Sequence, residues 1–184
     1  MEQILELKGK NKQESVITLL VNRNDEIIYK IIEIIASQIK RLNIITQDKR
    51  IFNNLEYHLN SEYGILLNVT SNYNTRFEDS EILINVDFEE KEINSINIPN
   101  NIVILNIPKD INIYSRKFSG INIKSCEIYV PKSDRIDGFS DICVYEESIF
   151  KDTFSHIFSK IEKDKIKIKN FIGVNGTIDK KEFR

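Results

Sequence analysis

Tryptophan is absent from this chain, alanine and methionine occur once each (Ala36 and Met1), and its 184 residues include two cysteines, three prolines and six glycines. These shortages exclude several classes of protein. Cys126 and Cys143 lack the C-x-x-C spacing of a zinc or thioredoxin-like site, so free, buried thiols in a reducing compartment fit better than a disulfide. No G-x-x-x-x-G-K-[ST] loop offers to cradle a phosphate, and no G-x-S-x-G elbow presents a nucleophilic serine. The most apolar stretch, Ile27–Ile39, is interrupted by Lys30, Glu33 and Gln38, too often to span a membrane. Met1 is followed by Glu2, Gln3 and Glu6 rather than by a basic and then apolar leader. Neither charge dominates: 26 basic against 28 acidic residues leave a formal −2, unlike a general nucleic-acid binder. The expectation is a cytoplasmic chain with neither a membrane nor a specific nucleic acid as partner.

Isoleucine, asparagine and lysine are abundant instead, a bias typical of AT-rich genomes. Asparagine tolerates the left-handed region better than other non-glycine residues, so it takes over turn positions. Hydrophobic residues make up 41%, enough to bury the core of one domain.

Residues 1–14 read as a polar N-terminal extension in which Ile4, Leu5 and Leu7 offer packing contacts. Ser15–Val21 is an aliphatic, β-branched run of the kind buried on both faces as an interior parallel strand. Asn22-Arg23-Asn24-Asp25 ends it, with Asn24 or Asp25 capping a helix over Glu26–Lys40. There Ile27, Ile28, Ile31, Ile32, Ile34, Ile35 and Ile39 spread over an arc wide enough for a sheet and a neighbouring element. Leu42–Thr46 is a second strand and Lys49–Asn60 a second helix with Ile51, Phe52, Leu55 and Leu59 at helical spacing. Gly64 suits a left-handed end to that helix. Ile65–Thr70, Glu81–Val86 and Asn101–Ile107 complete five strands, the later ones joined through the short stretches Tyr73–Ser80 and Phe88–Asn100. Strand and helix alternate, with strand starts about 25 residues apart, which predicts a right-handed parallel α/β sheet. The last third changes character. Short alternations at Ile111–Ile113, Gly120–Lys124 and Glu127–Val130 precede a loop at Asp134–Asp141. An amphipathic helix at Tyr145–Glu162 and a strand at Lys163–Lys169 follow.

Ligands of open α/β sheets sit beyond the carboxyl ends of the strands. Where a dinucleotide-binding domain carries G-x-G-x-x-G, this chain has Asn22, Arg23, Asn24 and Asp25 after its first strand. Glycines there allow the tight turn and the approach of pyrophosphate to the backbone; Arg23 and Asp25 obstruct that seat. The turn is either a solvent-exposed cap or a place where Arg23 salt-bridges a phosphate directly. The second carboxyl end, Thr46-Gln47-Asp48-Lys49-Arg50, places an acidic residue suited to a ribose hydroxyl beside basic residues suited to a 2′-phosphate. Asp48 is equally well explained as a helix N-cap. The other ends offer Thr70, Ser71 and Asn72, then Asn85 and Asp87, then Asn106 and Lys109. The candidate cofactor-binding set is therefore Asn22, Arg23, Asn24, Thr46, Gln47, Asp48, Lys49, Arg50, Asn85 and Asp87, without a catalytic or metal-ligating residue.

Leu42-Asn43-Ile44-Ile45-Thr46 followed by Gln47-Asp48-Lys49-Arg50 resembles the second strand and cofactor-discriminating loop of the shikimate dehydrogenase and glutamyl-tRNA reductase group. Asp79-Ser80-Glu81-Ile82-Leu83-Ile84-Asn85-Val86 is similar to that group's fourth strand, entered through an acidic turn and left through Asn. The resemblance runs from Val16 to Ile107 and implies descent from an NAD(P)-binding Rossmann domain. The fold expected is α/β, a Rossmann-like, mainly parallel sheet flanked by helices, with a C-terminal helix and short extra strands. Residues 15–184 form one domain on this reading, with the βα core at 15–110 and the extra elements at 111–184.

Other constellations are thin. His58 and His156 have no His or Cys at metal-ligand spacing, and Glu89-Glu90 and Glu146-Glu147 read as charged surface. Lys163, Lys165, Lys167 and Lys169 share a strand face, which either draws an anionic partner or deters edge pairing. Without the glycine loop, the function expected is a noncatalytic binding, scaffolding or regulatory module. It would use no cofactor and act on a protein partner or on another copy of itself. The alternative is an oxidoreductase-type domain holding NAD or NADP at the strand ends.

Overall fold

The computed structural model describes residues 1–73, 79–108, 111–114, 118–129, 142–144 and 167–183. A short helix α1 (Glu2–Leu7), with Ile4 and Leu5 buried, precedes β1 (Val16–Leu20). β1, β2 (Arg41–Ile45), β3 (Leu66–Thr70), β4 (Ser80–Asn85) and β5 (Val103–Asn106) run parallel. With β6 (Ile121–Ile123) they make a six-stranded sheet in the order β3-β2-β1-β4-β5-β6. This is the order of Rossmann folds, in which the winding reverses between the first and fourth strands. β1 is buried at every position, as a central strand without a solvent face must be. Its one polar residue, Thr18, is satisfied by the Ser80 hydroxyl at 2.5 Å.

The helix α2 (Glu26–Ala36) starts at Asp25, whose carboxylate accepts the Ile28 N–H at 3.0 Å. It buries Ile28, Ile32, Ile35 and Ala36, one stripe at helical spacing. The wider arc read from the sequence is not used: Ile27 is 68% and Ile34 52% exposed. The second predicted helix is split. A 3-10 turn at Lys49–Phe52 is followed by α3 (Leu55–Tyr63), because the Asp48 carboxylate bonds the Arg50 N–H and tightens the first turn locally. Gly64 closes α3 at φ +62°, in the left-handed conformation that its position in the sequence predicts. Gly120 has a different use. A Cβ there would lie 2.1 Å from the Ile102 carbonyl oxygen, the acceptor of the Ile121 N–H that joins β6 to β5.

The stretch Phe88–Asn100 contains a single helical turn, α4 (Glu90–Ile93). Phe88, Ile93, Ile96, Ile98, Ile102 and Ile111 pack with Leu20, Ile45, Leu83 and Ile104 of the sheet. Ile111–Ile113 forms no strand, because α4 binds its backbone. Asn94 Nδ2 donates to the Asn112 carbonyl at 2.8 Å, and Glu90 Oε2 accepts the Asn112 N–H at 2.9 Å. Glu90 is thus a structural tie and not simple charged surface.

Two rows of side-chain amides and hydroxyls cross the sheet. In one, Asn85 Nδ2 donates to Asn106 Oδ1 at 3.0 Å and Asn106 Nδ2 to Asn122 Oδ1 at 2.5 Å. Asn122 passes the chain on to the Ile111 carbonyl at 3.2 Å. In the other, Ser80, Thr18, Asn43 and Asn68 connect β4, β1, β2 and β3 in turn.

The chain forms two compact units, Met1–Asn122 with Lys180–Arg184, and Ile123–Asp179. In the first, Phe183 of a 3-10 turn at Lys180–Phe183 is buried and packs near α1. The second is an antiparallel sheet in the order β10-β9-β7-β8, with β7 (Ser125–Tyr129), β8 (Ile142–Val144), β9 (Lys167–Gly173) and β10 (Gly176–Thr177). β9 overlaps the end of the predicted Lys163–Lys169 strand. The predicted loop Asp134–Asp141 and helix Tyr145–Glu162 lie outside the described residues, as does His156. Cys126 is a free, half-buried thiol that burial pushes up in pKa, the opposite of an activated cysteine.

Asn85→Ala is expected to lower stability by about 2–4 kcal/mol, since it strands the Phe88 N–H and C=O and the Asn106 carboxamide in a buried site. Urea unfolding measures it; a change below about 0.5 kcal/mol would show that the row carries no stability.

Candidate functional site

The crevice beyond the carboxyl ends is built by register. Leu20 lies opposite Asn85 in the β1–β4 pair, and the Val86 N–H continues the ladder to the Leu20 carbonyl at 2.9 Å. Two residues farther on, Asn22 and Asp87 therefore face each other. The Asp87 carboxylate takes both amides of the turn after β1, Asn22 N–H on Oδ1 at 2.8 Å and Arg23 N–H on Oδ2 at 3.0 Å. Amides in this turn, next to the positive end of α2, are where an open α/β sheet seats a phosphate. Here a carboxylate of the chain itself holds that place, one oxygen to each amide.

The surrounding side chains close over the same point. Arg23 folds back, with Nε 3.2 Å from Asp87 Oδ2 and Nη1 3.6 Å from Asp25 Oδ2, so it is an internal partner and not an outstretched phosphate ligand. Asn22 accepts the Gln47 N–H on Oδ1 at 2.8 Å and donates Nδ2 to Glu92 Oε1 at 3.1 Å. Gln47 Nε2 donates to that same Glu92 oxygen. The other Glu92 oxygen accepts the Glu89 N–H at 2.8 Å, one half of a capping box at the start of α4. Glu92 thus ties the ends of β1 and β2 to α4. Glu92 lies outside the candidate set read from the sequence, although its three-residue spacing from Glu89 is a visible capping signal. Tyr73 borders the cluster, its phenol pushed up first by burial and then by the Glu92 charge, against a hydrogen bond from Gln47.

The remaining candidate residues go elsewhere. Asp48 and Arg50 form a two-pronged pair, Nε to Oδ1 at 2.8 Å and Nη2 to Oδ2 at 2.7 Å, which satisfies both groups in place of a ribose hydroxyl or a 2′-phosphate. Asp48 is also the N-cap of its turn. Lys49 is exposed, and Asn24 Nδ2 reaches the Ile51 carbonyl at 3.4 Å. Asn85 is buried in the amide row and does not open onto the crevice. Thr46 is fully buried, and its Oγ1 is the buried side-chain atom without a hydrogen-bond partner among the described residues. Asn22, Arg23, Gln47 and Asp87 are therefore brought together, with Asp25 and Glu92. Asp48–Arg50, Asn85, Thr46, Asn24 and Lys49 are not.

Among the described residues no group of three His, Cys, Asp or Glu side chains is placed to hold a metal, and no helix is long and apolar enough to cross a membrane. His58 is an exposed neighbour of Glu33, Nε2 to Oε1 at 3.3 Å. No protein-family model matches the chain, and no curated protein is significantly similar to it. The Rossmann-like topology rests on the strand order itself.

The fork from Arg50 holds the Asp48 carboxyl near pKa 2 instead of 3.8. Its stabilising contribution is in place above the unfolded value of 3.8 and is lost as pH falls through about 2. An NMR titration of the side-chain carbonyl should show this midpoint, and Arg50→Ala should return it toward 3.8; an unchanged midpoint in the variant would separate Asp48 from Arg50.

Proposed function

We propose that this chain is a noncatalytic binding, scaffolding or regulatory module, derived from an NAD(P)-binding Rossmann domain, whose dinucleotide seat its own side chains have closed. The observation that carries the reading is the Asp87 carboxylate on the amides of Asn22 and Arg23. A diphosphate would have to displace a bound carboxylate and then lie beside Asp25, Asp87 and Glu92, an arrangement of like charges that disfavours it. Asp48 and Arg50 are paired with each other, so either would have to leave that pair to read a ribose. The strand order supports descent from a Rossmann domain, and the resemblance to the dehydrogenase group named above rests on the sequence segments Leu42–Arg50 and Asp79–Val86.

Titration of the full chain with NADH and NADPH, followed by nicotinamide fluorescence and calorimetry, should show no saturable binding up to about 1 mM. Saturable binding below about 100 μM would overturn the proposal in favour of the oxidoreductase-type alternative. Asp87→Ser frees both amides. It should cost about 1–3 kcal/mol of stability and make the thermal midpoint rise with added pyrophosphate, a rise absent from the parent chain.

A further inference from the structure

β3 is the outer strand of the six-stranded sheet. Its inward bonds are made by alternate residues: the Leu66 N–H reaches the Lys40 carbonyl at 2.8 Å, and the Thr70 carbonyl accepts the Thr46 N–H at 3.0 Å. By alternation Leu67 and Val69 direct their N–H and C=O groups away from the sheet. Natural edge strands are protected by charge, proline or a bulge. β3 has none of these: it reads Leu66-Leu67-Asn68-Val69-Thr70, keeps an unbroken register with β2, and leaves Leu66 66% exposed. The polar row Ser80–Thr18–Asn43–Asn68 also ends at this edge. Asn68 donates Nδ2 to Asn43 at 3.4 Å, and its own Oδ1 has no partner among the described residues.

We infer that β3 is a self-association edge, pairing antiparallel with β3 of a second copy about a two-fold axis through Asn68. In that register Leu67 faces Val69 of the second copy, and each exchanges both main-chain bonds across the axis. Asn68 meets Asn68 in the intervening non-hydrogen-bonded pair, where side chains lie closest, so the vacant Oδ1 of one copy accepts from Nδ2 of the other. The row of polar side chains then runs unbroken from one sheet into its mate. A two-fold axis through residue 68 sets that residue against its own copy, so a charge there would repel itself. β3 carries none, and its middle residue is both donor and acceptor. A second copy is thereby favoured over an unrelated partner strand, and the inference is independent of whether the crevice takes a nucleotide.

Sedimentation velocity or light scattering of the full chain at micromolar to submillimolar concentrations should show a monomer–dimer equilibrium. Asn68→Lys and Asn68→Asp should each raise the dimer Kd at least about tenfold while the far-ultraviolet circular dichroism spectrum stays that of the parent chain. Mixing the two variants should restore association, because Lys then faces Asp across the axis. A chain that stays monomeric throughout the range, a dimer indifferent to either substitution, or a mixture that fails to recover association would each overturn the inference. Loss of folded signal in the Lys variant shifts the reading to Asn68→Cys. That chain should form a disulfide-linked dimer under mild oxidation with Cys126 and Cys143 replaced by Ser, and absence of the dimer has the same overturning force.

Discussion

Two main-chain N–H groups emerge from the end of β1 toward the mouth of the sheet, and a hydrogen-bond acceptor has to meet them. In a nucleotide-binding domain the ligand brings that acceptor, and the apo protein leaves the place to water. In this chain the β1–β4 register carries Asp87 to the same spot, and its carboxylate takes both amides. Much of the local arrangement follows from that contact. Arg23 turns inward to the carboxylate, Asn22 is fixed with its side chain free to receive Gln47, and Glu92 joins both strand ends to α4. An internal carboxylate meets these amides without the translational and rotational entropy that an external anion would lose.

The same economy governs the interior. A composition rich in asparagine would be a burden to a parallel sheet, because a buried carboxamide without partners costs more than an aliphatic side chain gains. On β2 to β6 the chain places asparagines in register, so that Asn43 meets Asn68, and Asn106 meets both Asn85 and Asn122. Asn85, Asn106 and Asn122 use the pairing of β4, β5 and β6, while Asn43 and Asn68 use that of β2 and β3. Each row pins strand register as well as satisfying polar groups, since a slip of one residue would send an amide to the other face of the sheet. The rows end differently. One finishes on the Ile111 carbonyl inside the first unit, and the other finishes at an exposed edge.

The fold was legible where the physics is local. The aliphatic run at Val16–Leu20, the cap at Asp25, the left-handed Gly64 and the alternation of strand with helix all declared themselves in order, and the six-stranded sheet follows them. Local physics misled where long-range contacts intervened. Seven isoleucines between Ile27 and Ile39 predicted a broad buried face, yet the sheet takes only one stripe of them. Ile111–Ile113 alternates like a strand, but hydrogen bonds from Glu90 and Asn94 claim its backbone first.

The candidate site divides along the same line. The absence of glycine after β1 is a property of the sequence alone, and so is the N-cap at Asp48; the pairing of Asp48 with Arg50 came only with the folded turn, although the two stand two positions apart. Which anion the crevice holds was settled only by the tertiary structure. Asn22 and Asp87 lie 65 positions apart, and nothing in either segment names the other. Register between β1 and β4 brings them face to face, and register depends on the burial of whole strands. Sequence therefore determined which residues stand at the strand ends, and packing decided which of them touch.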